Sequence, residues 1–262
     1  MLRLPNIQMK TKIVITRPLL EAIKLKTLLD KHSAFEVHVA PAIEFQKCPP
    51  PDNFIAQINA SRFILFPSKT SIRVFSEHLE HSISTKIDLT RHFCGVQGKG
   101  SAELFNELFG RWPDIISTSG DAESFADTVV RSHLWSRATS KETLIVKGNL
   151  SRNVLGPVLI EAGAEVVEWE LYNTVYQSPP EALTAIDLSE AIFLLFSPSA
   201  AESVSQWKAL AGKPLRVIAF GPTTAQRARE LDFKVISTLE EPDIDVLISN
   251  LINLTSADYG AS

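Results

Sequence analysis

Cysteine is nearly missing from this chain. Cys48 and Cys94 are the only thiols in 262 residues, and neither belongs to a CxxC or CxxCH pattern. A disulfide framework, a structural zinc site and paired-thiol redox chemistry are therefore not expected. Long apolar runs are missing too. The longest strictly apolar stretch, Ala191 to Phe196, falls far short of the ~20 residues a membrane helix needs. Arg3 and Lys10 precede no apolar segment of signal-peptide length, so no membrane is expected as partner and the expected compartment is cytoplasmic. Walker A, GxGxxG, HExxH and GxSxG patterns do not occur. His32, His38, His78, His81, His92 and His133 show no metal-ligand spacing, and His78 and His81, on one predicted helix, read as surface residues. Acidic residues do not gather at predicted strand ends, so metal chemistry lacks oxygen ligands. No cofactor is expected. A net charge of −4 argues against nucleic acid as a partner, since such domains are usually basic.

What is present is an internal echo. Lys12-Ile13-Val14-Ile15-Thr16 is answered by Thr143-Leu144-Ile145-Val146-Lys147 at an offset of 131, and Phe63-Ile64-Leu65-Phe66 by Phe193-Leu194-Leu195-Phe196 at 130. Gly98 opens Gly-Lys-Gly-Ser-Ala and Gly221 opens Gly-Pro-Thr-Thr-Ala at an offset of 123, and Ile116-Ser117-Thr118 recurs as Ile236-Ser237-Thr238 at 120. Such a period is far longer than the roughly 20–50 residues of a solenoid repeat. Two similar α/β lobes in one chain are the reading, with a cleft between lobes as the usual ligand position.

Short β-branched apolar runs at Ile13–Thr16, Phe63–Phe66, Phe93–Gln97, Ile115-Ile116, Leu144–Val146, Glu165–Leu171, Phe193–Phe196, Val217–Phe220 and Val235–Ser237 predict buried parallel strands. Phe35–Phe45 reads as one further extended segment, ending before Pro49-Pro50-Pro51. Helical patterns lie between the strands, including one from about Glu123 to His133 and one from about Asn153 to Glu161. This alternation predicts parallel sheets flanked by helices, whose ligands meet the loops beyond the strands' carboxyl ends.

Those loops hold the polar residues. Gly221-Pro222-Thr223-Thr224 runs from a strand into a helix, where glycine admits close backbone approach and the free N–H groups can cradle an anion. The same residues also read as an ordinary helix cap. Its counterpart is Gly98-Lys99-Gly100-Ser101; Pro67-Ser68-Lys69-Thr70-Ser71 matches Ser197-Pro198-Ser199-Ala200, and Thr16-Arg17-Pro18 matches Lys147-Gly148-Asn149 with Arg152 beyond. Individually these are structural turns. Together, hydroxyls, glycines and a few cations at one sheet end suit a large ligand bearing several carboxylates or phosphates.

Through these residues the chain resembles the uroporphyrinogen-III synthase family. The resemblance runs from about Lys12 to Leu251 and is carried by Ile15-Thr16-Arg17-Pro18, Leu144-Ile145-Val146-Lys147-Gly148 with Arg152, and Gly163-Ala164-Glu165-Val166. Leu171-Tyr172-Asn173-Thr174, Phe196-Ser197-Pro198-Ser199 and Gly221-Pro222-Thr223-Thr224-Ala225 complete it. It implies an α/β fold of two similar flavodoxin-like lobes, each a parallel sheet flanked by helices, joined by a two-stranded hinge. One lobe would comprise residues 1–40 and 175–262 and the other 41–174, each borrowing its first strand from the other half.

The resemblance further implies a lyase of porphyrin biosynthesis that closes linear hydroxymethylbilane with loss of water and inversion of the last ring, without metal or cofactor. Tyr172 matches the tyrosine proposed as proton donor, and a core or connecting tyrosine is the plain alternative. Ser197, Ser199, Thr223 and Thr224 match loop positions that hold substrate carboxylates, with Ser68 and Ser101 as the other lobe's matches. Arg17, Lys147 and Arg152 are the cations expected to pair with charge. Pro67 stands where the family commonly has a hydroxyl residue, and Lys147 replaces a frequent arginine. A monomer is expected, with transient contact to the preceding pathway enzyme as a further partner. The alternatives are a non-catalytic tetrapyrrole-binding or scaffold homologue and a two-lobed sugar- or nucleotide-dependent transferase, though no nucleotide motif supports the latter.

Overall fold

The computed structural model describes residues 10–81, 87–118, 121–188, 190–207, 215–239 and 243–259. The chain divides into two compact units, one of Met1–Glu44 with Val175–Ser262 and the other of Phe45–Thr174.

The first unit is built on a five-stranded sheet. Its strands are β1 (Thr11–Ile15), β2 (Phe35–Val39), β9 (Ile192–Leu195), β10 (Arg216–Phe220) and β11 (Lys234–Leu239), in the order β11-β10-β9-β1-β2. Every neighbouring pair is parallel. Residues alternate across the sheet with period two. Ile13 and Ile15 pack with Ala22, Leu25 and Leu29 of α1 (Leu19–Leu29) and with Leu247 and Leu251 of α11 (Ile244–Tyr259). Val14, between them, faces the opposite way, into a core with Leu183 of α8 (Glu181–Thr184), Val204 of α9 (Pro198–Ser205) and Ala228 of α10 (Pro222–Glu230). Both faces are covered, which explains why these strands read as unbroken apolar runs.

The second unit carries β3 (Ile43–Lys47), β4 (Phe63–Phe66), β5 (Phe93–Gln97), β6 (Ile115–Ser117), β7 (Glu142–Gly148) and β8 (Glu165–Tyr176), ordered β3-β8-β7-β4-β5-β6. Ile64, Phe66, Cys94 and Val146 pack with Ile58 of α2 (Phe54–Ala60), Phe75 of α3 (Lys69–His81) and Phe105 of α4 (Lys99–Phe109). Phe63, Leu65 and Ile145 face the other way, onto Phe125 of α5 (Ala122–Arg131), Trp135 of α6 (His133–Arg137) and Leu159 of α7 (Leu155–Glu161). Burial in this core pushes the Cys94 thiol up to about 12.

The two strand orders are one pattern. In the first unit the order β2-β1-β9-β10-β11 is the 2-1-3-4-5 arrangement of flavodoxin-like sheets. The second unit gives the same pattern once β7, β8, β4, β5 and β6 are read in that sequence. The opening strand pair of each repeat thus joins the last three strands of the other: Ile13 pairs with Ile192, and Phe63 with Thr143.

Two expectations are corrected. Phe35–Phe45 is two strands, separated at Ala40-Pro41-Ala42 and lying in different sheets. Pro41 has no N–H for a ladder, which favours the break there. The helix expected from Glu123 to His133 ends at Arg131, because Ser132 is extended (φ −64°, ψ 145°) and starts α6 by accepting from the Trp135 N–H. The chain passes between units after Glu44 and after Thr174, within β3 and β8, which are neighbours in the six-stranded sheet.

The glycines after β5 and β10 repeat one geometry. Gly98 (φ 84°, ψ 150°) and Gly221 (φ 84°, ψ 153°) each open a helix without a side-chain cap. Each donates its N–H to the adjacent strand, Gly98 to Ser117 at 2.8 Å and Gly221 to Leu239 at 2.7 Å. Only glycine adopts such a backbone without strain. A Cβ at either site would meet nothing within 4 Å, so the cost of substitution is the backbone's alone. Gly98→Ala and Gly221→Ala should each lower unfolding free energy by roughly 1–3 kcal/mol, measured by urea denaturation; an unchanged midpoint would show that these loops relax freely.

Candidate active site

In the second unit the loops that leave the carboxyl ends of β7 and β4 hold one phenol. Tyr172, on β8, pairs with Gly148 just after a register shift between Lys147 and Gly148. Its ring lies on that glycine: a Cβ there would come 2.3–2.9 Å from three ring atoms, so a side chain at 148 would expel the phenol. Phe45 meets the ring edge-on at 5.5 Å and 85°. The Tyr172 hydroxyl lies 3.0 Å from Ser68 Oγ. Ser68 in turn starts α3, accepting from the Ser71 N–H at 3.0 Å, while Ser71 Oγ donates to the Ser68 carbonyl at 2.7 Å. Residue Tyr172 is 6% exposed. Burial pushes its pKa above the ordinary 10.0, against the opposing hydrogen bonds to Ser68 and Ser151. The phenol is therefore a neutral, oriented hydroxyl at physiological pH.

Beside it lies a pocket of about 130 Å³ whose lining includes Pro67, Gln97, Lys147, Ser151, Arg152 and Glu168. Two of the expected cations line it, but both are paired. Lys147 forms an ion pair with Glu168, and Arg152 lies 3.3 Å from Glu123. The Arg152 pair is solvent-exposed and of the kind worth ~0–1 kcal/mol, so an incoming anion can displace it. Ser101 is buried, in the first turn of α4, which leaves its hydroxyl little surface to offer.

The first unit repeats the design with different chemistry. Ser197 starts α9, accepting from the Ala200 N–H at 3.2 Å, and its hydroxyl lies 3.1 Å from Ser199 Oγ. Thr223 is exposed at the start of α10, whereas Thr224 is only 2% exposed. Gly221 brings no capping side chain, so the N–H groups of that first turn point to solvent or ligand. The Arg17 guanidinium sits 4.3 Å above the Phe196 ring, which itself stacks on Phe220 at 4.1 Å and 13°. Burial draws the Arg17 pKa down, opposed by Glu21, yet arginine stays charged. Arg17 thus ends a three-layer stack rather than reaching freely outward.

The residues of the two units are held on separate sheets, and the structure groups them accordingly: Tyr172, Ser68, Lys147 and Arg152 in one, Arg17, Ser197, Ser199, Thr223 and Thr224 in the other. Sequence reasoning passed over Ser71, Ser151, Phe45 and Phe196. Ser71 was accessible as the fourth residue of Ser68-Lys69-Thr70-Ser71, a helix-start spacing; the aromatic contacts carried no local signal. His78, expected at the surface, is half-buried, its Nε2 3.0 Å from the Cys48 carbonyl oxygen. The side chain of His81 lies outside the described residues. A larger hollow of about 670 Å³ opens near Arg62, Arg91 and His92, at the amino ends of β4 and β5 and away from these loops. Volume alone therefore does not mark the site.

Spectrophotometric titration offers a check on the phenol. The difference between wild type and Tyr172→Phe should show a phenolate transition with its midpoint above the ordinary 10.0; a midpoint at or below that value would refute the buried, neutral hydroxyl.

The comparisons with known proteins agree with this architecture. The family model described as uroporphyrinogen-III synthase HemD matches residues 23–249. A mutant uroporphyrinogen III synthase of Thermus thermophilus superimposes with a TM-score of 0.67, at 17% identity over 93% of this chain and 98% of that one. Uroporphyrinogen-III synthetase of Helicobacter pylori gives 0.62, at 14% identity over 94% of this chain and 100% of the other. At these identities the structures speak for the fold. A search of curated proteins found no match. The family model spans most of the sequence, and the chain belongs to the uroporphyrinogen-III synthase family.

Proposed function

We propose that this protein converts hydroxymethylbilane to uroporphyrinogen III, closing the macrocycle with inversion of ring D and loss of water, and that it does so without a cofactor. Membership of the family supports the reaction. The observation that carries the chemical reading is the neutral Tyr172 hydroxyl, oriented by Ser68 at 3.0 Å at the end of the sheet where ligands of such folds bind.

In this reading the terminal C–O bond of the substrate breaks, and the hydroxyl leaves as water with the Tyr172 proton. An azafulvene cation remains, and the substituted α-carbon of the ring to be inverted attacks it. That carbon's bond to its old methylene breaks to give a second azafulvene cation, and this methylene closes onto the ring's free α-carbon. Burial raises the Tyr172 pKa, yet a phenol remains a stronger acid than water, so proton transfer to a developing hydroxide runs downhill. Ser68 and Ser151, the hydrogen-bond partners of the Tyr172 hydroxyl, then stabilise the phenolate until it regains a proton from the rearranging pyrrole. The rest of the gain comes from folding the chain and excluding water. Arg17, Lys147 and Arg152, the hydroxyls of Ser197, Ser199 and Thr223, and the first-turn amides of α4 and α10 hold the substrate's carboxylates. Ser101 and Thr224 contribute through those amides, because their side chains are buried. The protein works as a cytoplasmic monomer, and none of its described helices is long and apolar enough to cross a membrane.

Two measurements test this reading. Purified protein given enzymatically generated hydroxymethylbilane, in the presence of a chelator, should yield the type III isomer on separation of the oxidised products. Only type I, at the uncatalysed rate, would refute the function. Tyr172→Phe should lower kcat roughly ten- to a hundredfold, at or below the lower end of the general-acid range, with the thermal midpoint preserved; unchanged turnover would make Tyr172 structural.

A further inference from the structure

The second unit holds a cation that neither sequence pattern nor pocket lining singled out. Lys69 occupies the first turn of α3 and reaches across to the first turn of α4, where its Nζ and Cε lie 2.4 and 2.7 Å from the position a Cβ on Gly100 would take. Lys69 is exposed, so its ammonium group stays open to an incoming anion. The first turn of a helix carries the positive end of its dipole, and Lys69 faces two such turns, its own and that of α4. Lys147 and Arg152 have carboxylate partners in Glu168 and Glu123; among the described residues Lys69 has none. It also directly follows Ser68, whose hydroxyl holds Tyr172 at 3.0 Å.

We propose that Lys69, lodged on the bare backbone of Gly100, is the cation of this unit that binds a carboxylate of the linear tetrapyrrole beside Tyr172. The assignment rests on the cyclase reading and adds to it a binding group. Gly100 is the second half of the device. The missing side chain leaves room for the ammonium over α4, where it and the helix amides face the same anion.

The test is steady-state kinetics with hydroxymethylbilane at low and high salt for Lys69→Gln, Lys69→Arg and Gly100→Ala. Lys69→Gln should raise KM about tenfold, the effect of losing one charged hydrogen bond, with kcat within about twofold. Its KM should also lose part of the salt dependence seen in wild type. Lys69→Arg should restore most of the affinity. Gly100→Ala fits a helical backbone and displaces only the flexible end of Lys69, so it should raise KM by a smaller factor without lowering the thermal midpoint. Wild-type KM and salt dependence in Lys69→Gln, or a defect confined to kcat, would overturn the Lys69 assignment while leaving the cyclase reading intact. Failure of the wild type to form type III isomer would instead remove that reading, and the Lys69 assignment with it.

Discussion

Each sheet is held together by a parallel ladder between segments far apart in the chain. Ile13–Ile15 lie against Ile192–Leu194, and Phe63–Leu65 against Thr143–Ile145. All of these residues are essentially inaccessible to solvent, so the ladders' backbone groups have no water to fall back on, and their loss would leave buried donors and acceptors unpaired. The strand β3 runs antiparallel to β8, with the Cys48 N–H donating to Leu171 and that of Gln177 to Ala42. Within the five strands of each 2-1-3-4-5 pattern every pairing is parallel, so their carboxyl ends point to one edge. That alignment gathers serine-led, glycine-led and cation-bearing loops into one cluster per unit.

The clusters share a frame and differ in chemistry. Ser68 and Ser197 start equivalent helices, and Gly98 and Gly221 repeat one backbone conformation to within a few degrees. Into this common frame the second unit inserts a phenol, admitted by the missing side chain of Gly148. The first unit instead builds the Arg17–Phe196–Phe220 stack. Stacking leaves the guanidinium charged but takes up one of its faces. The units differ accordingly: the second holds a buried phenol, and the first a stacked arginine among hydroxyls and helix-start amides.

Much of the scaffold was legible because short apolar runs are the direct signature of strands buried on both faces. Phe63–Phe66 and Phe93–Gln97 begin and end where the pattern says. The breaks were only faintly marked. Ala40-Pro41-Ala42 lies inside a continuous extended pattern, where Pro41 is the local sign of the break between β2 and β3. Ser132 interrupts a pattern whose apolar spacing continues through Trp135, because its hydroxyl gains more as a cap than its backbone does within a helix. At the site, residue types were readable but their partners were not. Nothing local ties Lys147 to Glu168, 21 positions away, or brings the Tyr172 hydroxyl to Ser68 across 104 positions.

The sequence by itself determined the strand and helix inventory, the duplication and the polar character of the loops, since these depend on side-chain type and on spacings of a few residues. Tertiary structure alone decided which repeat completes which sheet, which cations are already neutralised and which hydroxyl is buried. Those outcomes depend on distances between segments about twenty to more than a hundred residues apart, and a chain expresses such distances only once its ladders have closed.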